Sequence, residues 1–139
     1  MRRLTLFLLS LCLALPAAAE RLQRFGDLEV HYSVFNSSFL QPDIATAAGL
    51  TRSKTQGVLN VAVLRDGKAV PAAQVSGEVK NLLGQTQSLR FRRVTEGEAA
   101  YHLSQFKMTD REVLTFNLKV QEGGVSHSLT FNQEVFPDE

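Results

Sequence analysis

Residues 113–135 read VLTFNLKVQEGGVSHSLTFNQEV, and this stretch decides the fold class. Leu114, Phe116, Leu118 and Val120 fall on one face of an extended chain, with Thr115, Asn117 and Lys119 on the other. Gly123-Gly124 supplies two residues free to take positive φ, the requirement of a tight hairpin turn. Beyond it Val125, Leu129, Phe131 and Val135 alternate with Ser128, Thr130, Asn132 and Glu134. Two period-two runs joined by such a pair predict an antiparallel hairpin with one apolar face.

The same period extends upstream. Leu28, Val30, Tyr32 and Val34 alternate with Glu29, His31 and Ser33. Val58 to Arg65 is almost wholly apolar, as suits a central strand, and Asp66-Gly67 closes it. A third strand runs around Ala73 to Asn81, behind Pro71. A fourth carries Leu89 and Phe91 inward with Arg90 and Arg92 outward, and a fifth sends Tyr101 and Leu103 inward and His102 outward. With the hairpin, these make seven short strands. The expectation is all-β: a seven-stranded immunoglobulin-like β-sandwich, lacking the Cys…Trp…Cys hallmark of true immunoglobulin domains.

Residues 36–56 form a connection too long to be structureless between strands one and two. Pro42 suits the first helical position and Gly49 a left-handed stop, so one short helix is expected over Pro42 to Ala48. Ile44 and the alanines would pack it on the sandwich, with Phe39 and Leu40 plugging the core end.

The chain has 139 residues, and its first 19 read as a secretory signal peptide. Arg2-Arg3 precede an apolar run from Leu4 to Leu15, Pro16 breaks it, and Ala17-Ala18-Ala19 present small residues for cleavage before Glu20. The run is too short for a permanent membrane helix, which needs about 20 residues, so no stable membrane anchor is expected. Residues 20–139 are read as a single domain exported to the periplasm. Removing Arg2 and Arg3 leaves 13 basic against 14 acidic residues, which offers no electrostatic footprint for nucleic acid. Cys12, the sole cysteine, leaves with the leader. That excludes disulfides, zinc–thiolate sites and cysteine nucleophiles from the mature domain.

Chemistry-bearing patterns are sparse. His31, His102 and His127 show no metal-ligand spacing, and no cofactor or metal is expected. No G-x-S-x-G elbow or S-x-x-K motif occurs, so the chain is read as a non-enzyme. Arg90, Arg92 and Arg93 read as charges that keep a strand wet. The candidate site is the long connection and its rim, Asn36, Phe39, Arg52, Ser53 and Lys54. It gathers cations and small hydroxyls beside partly exposed apolar groups, a set suited to a carboxylate- or phosphate-bearing partner. The bland alternative has Asn36 and Ser53 capping turns and Arg52 paired with a surface acid.

The stretch His31-Tyr32-Ser33-Val34-Phe35-Asn36-Ser37-Ser38-Phe39-Leu40, with Arg52-Ser53-Lys54 and Asn60, resembles an uncharacterised family of small exported proteins of Gram-negative bacteria, a domain of unknown function. The resemblance implies a periplasmic, single-domain β-sandwich-like protein and carries over no catalytic or binding residues. The expected role is a binding or interaction module with a protein partner in the cell envelope. The alternative is a structural or chaperone-like accessory working through a sheet edge.

Overall fold

The computed structural model describes residues 20–138. The leader expected over residues 1–19 lies outside the described residues. Ten strands form two antiparallel sheets. They are β1 (Glu20–Phe25), β2 (Leu28–Asn36), β3 (Gln56–Arg65), β4 (Lys68–Ala69), β5 (Gln74–Lys80), β6 (Thr86–Leu89), β7 (Arg92–Glu96), β8 (Ala99–Lys107), β9 (Glu112–Glu122) and β10 (Val125–Val135). One sheet runs β1-β2-β3-β8-β7, with β4 also pairing β3, and the other runs β10-β9-β5-β6. A short 3-10 turn (Ser37–Phe39) and helix α1 (Pro42–Ala48) occupy the β2–β3 connection. Among the described residues no helix is long and apolar enough to cross a membrane.

The period-two residues build the core between the sheets. Val30, Leu59, Val61 and Phe106 of the first sheet meet Val79, Phe116, Val120 and Phe131 of the second. The aromatic rings interlock: Phe116 stacks on Phe131 at 4.9 Å and meets Phe106 edge-on at 5.2 Å. Gly57 sits directly opposite Phe106 on the neighbouring strand and leaves room for its ring. At the end away from the connection, Arg65 grips Glu122 through two bonds of 2.8 and 2.9 Å and Asp27 at 3.2 Å, joining the two sheets.

Ten strands replace the seven expected. β1 adds an edge whose alternation is hidden by arginines, and β4 spans two residues after the Asp66-Gly67 turn. The run read as one strand through Leu89 and Arg92 is broken where the chain leaves the second sheet for the first, so it forms β6 and β7. Arg90 and Arg92 accordingly share no strand face. The Arg92 guanidinium lies against Gly49, and Arg93 donates to the Pro71 carbonyl.

The parity of β8 is also reversed. His102 and Phe106 are buried on the inner side of the sheet, with Phe106 in the inter-sheet core. Leu103 and Tyr101 point outward into a second apolar cluster with Ala48, Leu50 and Val58. The reason is α1, which covers part of the outer face and makes β8 apolar on both sides. Helix bounds and the left-handed Gly49 (φ 70°) match the expectation, and Ala45 and Ala48 are its buried face. Ile44, expected to pack, is exposed instead, as is Phe39.

Candidate functional site

All the connection residues expected to matter lie at one end of the sandwich, and most are engaged in holding it together. Buried Ser37 makes a reciprocal pair with Ser53: its hydroxyl donates to the Ser53 carbonyl and accepts from the Ser53 amide, each at 2.9 Å. The Ser53 hydroxyl also accepts from the Thr55 amide at 3.2 Å. Ser53 is therefore a turn-former, as such residues commonly are. Gln105 on β8 fixes the next stretch, donating to the Thr51 carbonyl at 2.6 Å and accepting from its amide at 3.0 Å.

The C-terminal segment closes over this frame. The Asn36 side-chain amide donates to the Phe136 carbonyl at 2.8 Å and to Asp138 Oδ1 at 3.0 Å. Ser38 donates its hydroxyl to the other oxygen of Asp138, whose own amide reaches the Lys54 carbonyl at 2.9 Å. Donation from Ser38, then from Asn36, with the nearby charge of Lys54, holds the Asp138 carboxyl below its ordinary range. Sequence reading missed Ser37, Ser38, Gln105 and Asp138, because their contacts join positions 16 to about a hundred residues apart and no local spacing betrays them.

Asn36, Arg52, Ser53 and Lys54 are thus brought together, with roles that differ. Ser53 ties a turn, whereas Asn36, expected to cap one, makes no capping bond and holds the C-terminal segment instead. Arg52 donates to the Ser38 carbonyl at 3.1 Å, a backbone partner where a surface acid was the bland expectation. Phe39, expected at the core end, is 74% exposed. It stands at the same end as two other exposed apolar groups. Phe136 is there through its bond to Asn36. The β5–β6 turn is there too, because Lys80 pairs with Thr115, near the start of β9, and Gln87 bonds to Lys107 beside Gln56. That turn carries Leu82 and Leu83, 79% and 84% exposed.

The three histidines lie apart. His31 is on the outer face within 3.3 Å of Glu29, and His127 stacks on Phe25 with ring centroids 4.6 Å apart. Burial, with the positive charge of Arg93, pushes the third, His102, below its ordinary value. Among the described residues no three His, Asp or Glu side chains are grouped to hold a metal ion.

A two-sheet antiparallel domain with one tied-down connection defines the class, and the family follows from the chain itself. Residues 22–138 match the family described as Domain of unknown function (DUF4426), and the chain belongs to it. A solved DUF4426 family protein from Pseudomonas aeruginosa PAO1 is 53% identical, covering 87% of this chain and 98% of that one at a TM-score of 0.81. FetP of uropathogenic Escherichia coli strain F11 is similar in fold, as isolated (TM-score 0.64) and as a copper-bound variant (0.62). Both are 11% identical, with 87% of this chain matched to 96% and 92% of theirs. At that identity the likeness concerns the fold alone. No curated protein matches.

Proposed function

We propose that this DUF4426 protein is an exported, non-enzymatic binding module of the periplasm, with an immunoglobulin-like sandwich as scaffold for a contact surface at the connection end. One observation carries the reading: Phe39, Leu82, Leu83 and Phe136, all exposed, gather at the end that also carries Arg52 and Lys54. Exposed large apolar groups rimmed by charge mark contact surfaces. The partner fitting them is an envelope protein that presents carboxylates beside apolar groups. Asn36 and Ser53 serve this surface by fixing its backbone. The leader pattern of residues 1–19 supports export, and FetP, of like fold, has been recombinantly expressed in the periplasm of Escherichia coli BL21(DE3).

The test is crosslinking in the native periplasm from a photoreactive side chain at position 39, with and without Arg52→Glu. A protein captured from wild type and lost with Arg52→Glu is the expected result. Capture that is unaffected by the variant, or no capture, overturns the reading. Phe39→Ser itself should leave stability within about 0.5 kcal/mol, since the side chain is solvent-exposed.

Strand addition is the second reading, and β10 favours it. This edge strand keeps register with β9 over its full length and contains no Lys, Arg, Pro or Gly, the usual protections of a sheet edge. Arg21 covers part of it by donating to the Asn132 carbonyl at 3.0 Å. Crosslinks from position 128 in place of position 39 would select this reading.

A further inference from the structure

The outer face of the β1-β2-β3-β8-β7 sheet is only partly covered. α1 covers the end near the connection, and the rest is open as a groove of about 680 Å³. A split in the sheet makes the groove. β8 pairs with β3 from Gln56↔Lys107 to Val61↔His102 and no further, whereas β4 joins β3 only at Leu64 and Arg65. The two lips are therefore the β3–β4 hairpin and the β7–β8 turn. Small residues (Ala62, Ala69 and Ala99) keep the space between them open.

Polar groups in this groove are under-used. Asn60 stands next to the point where β8 leaves β3, and its side-chain oxygen is buried with no hydrogen-bond partner. Asn60 makes no side-chain hydrogen bond among the described residues and lines the groove, so the accessible part of its amide is available to a ligand. Lys68 lines the groove from one lip and Glu98 from the other. Neither enters an ion pair or a side-chain hydrogen bond among the described residues. Opposite charges on facing lips, above an uncharged polar floor, complement a molecule that carries both charges and further hydrogen-bonding groups. The volume lies within the range of small-molecule sites, about 300–1,000 Å³.

We infer that the groove between the β3–β4 hairpin and the β7–β8 turn binds a small zwitterion of the amino-acid class, a free amino acid or a dipeptide. Lys68 takes the carboxylate, Glu98 the ammonium, and Asn60 a polar group of the ligand. This site is on the sheet face, separate from the connection end, and does not rest on the reading given there.

The experiment is calorimetric titration of the mature chain with L-serine, L-glutamine and the dipeptide Gly-Ser, together with Gly-Ser blocked at both termini. Binding of at least one free probe and none of the blocked one is expected. Lys68→Glu and Glu98→Lys, both at exposed positions, should each weaken it about tenfold, the scale of one charged hydrogen bond. The double exchange should recover part of the loss. A circular dichroism spectrum and melting point matching wild type would show that the variants fold. No binding by any free probe at millimolar concentration overturns the inference. So does equal binding of the blocked dipeptide, or indifference to both charge exchanges.

Discussion

Replacing Gly57 by Ala tests how tightly the core is built. Gly57 lies in β3 across from Phe106, and an added Cβ would stand within 3.0 Å of three carbons of the Phe106 ring. That ring is only 2% exposed and is held edge-on by Phe116, so it has nowhere to retreat. Overpacking of this kind costs about 1–3 kcal/mol. The loss of glycine's freedom in the unfolded chain offsets about 0.4–1 kcal/mol of it. A net destabilisation of about 1–2 kcal/mol should follow, lowering the melting temperature by roughly 4 °C per kcal/mol for a domain this size. The decisive comparison is the cycle with Phe106→Leu, which removes the ring. In urea unfolding the double variant should be at least about 1 kcal/mol more stable than the sum of the two single losses implies. Additive losses, or a harmless Gly57→Ala, would refute the account of why a glycine occupies this strand.

Acid should weaken the fold through two groups. His102 titrates below its ordinary value of 6.5 because burial, and secondarily Arg93, disfavour its charged form. Its contribution is therefore complete above 6.5. It falls as pH drops, by at most about 1.4 kcal/mol per pH unit, until the folded-state value is reached, and His102→Gln should flatten that slope in urea titrations. Glu122 is held below its usual range mainly by the hydrogen bonds from Arg65. Its contribution is present above 4.5 and is lost as pH falls through the lowered folded-state value. Glu122→Gln should remove this acid limb from thermal melts recorded between pH 5 and about pH 2.

Where each strand has one wet face, the sequence discloses its structure. β2, β9 and β10 keep the inward residues that alternation assigns, apart from Val125, which is exposed beside the hairpin turn, and Asp66-Gly67 and Gly123-Gly124 turn with positive φ at all four positions. Helix α1 was legible from Pro42 and Gly49 because its stop and start rest on backbone geometry. β8 misled because α1 packs on its outer side, and a strand buried on both faces has no period from which to read direction. β1 was missed because Arg21 and Arg24 interrupt its apolar residues. At the connection, residue types were legible and roles were not. Arg52 and Phe39 suggested one pairing and one burial, but the Ser38 carbonyl and solvent receive them. The groove at Asn60 could not be read at all, since it arises from strands parting company, a property of pairing that no single segment encodes.

The bonds from Asn36 and Ser38 to Asp138 also have a kinetic meaning. They span about a hundred residues, and the loop-closure entropy of about 4 kcal/mol is met when β10 packs on β2 through Phe131 and Tyr32, so the bonds to Asp138 form on a sandwich already assembled. Contacts at such separation form slowly in a β-rich chain. The local hairpins can zip early, whereas the connection reaches its final shape only after the carboxy-terminal residues arrive. A probe at position 138 would therefore report the last stage of maturation, and truncation before Phe136 should yield a folded sandwich whose connection stays unlatched.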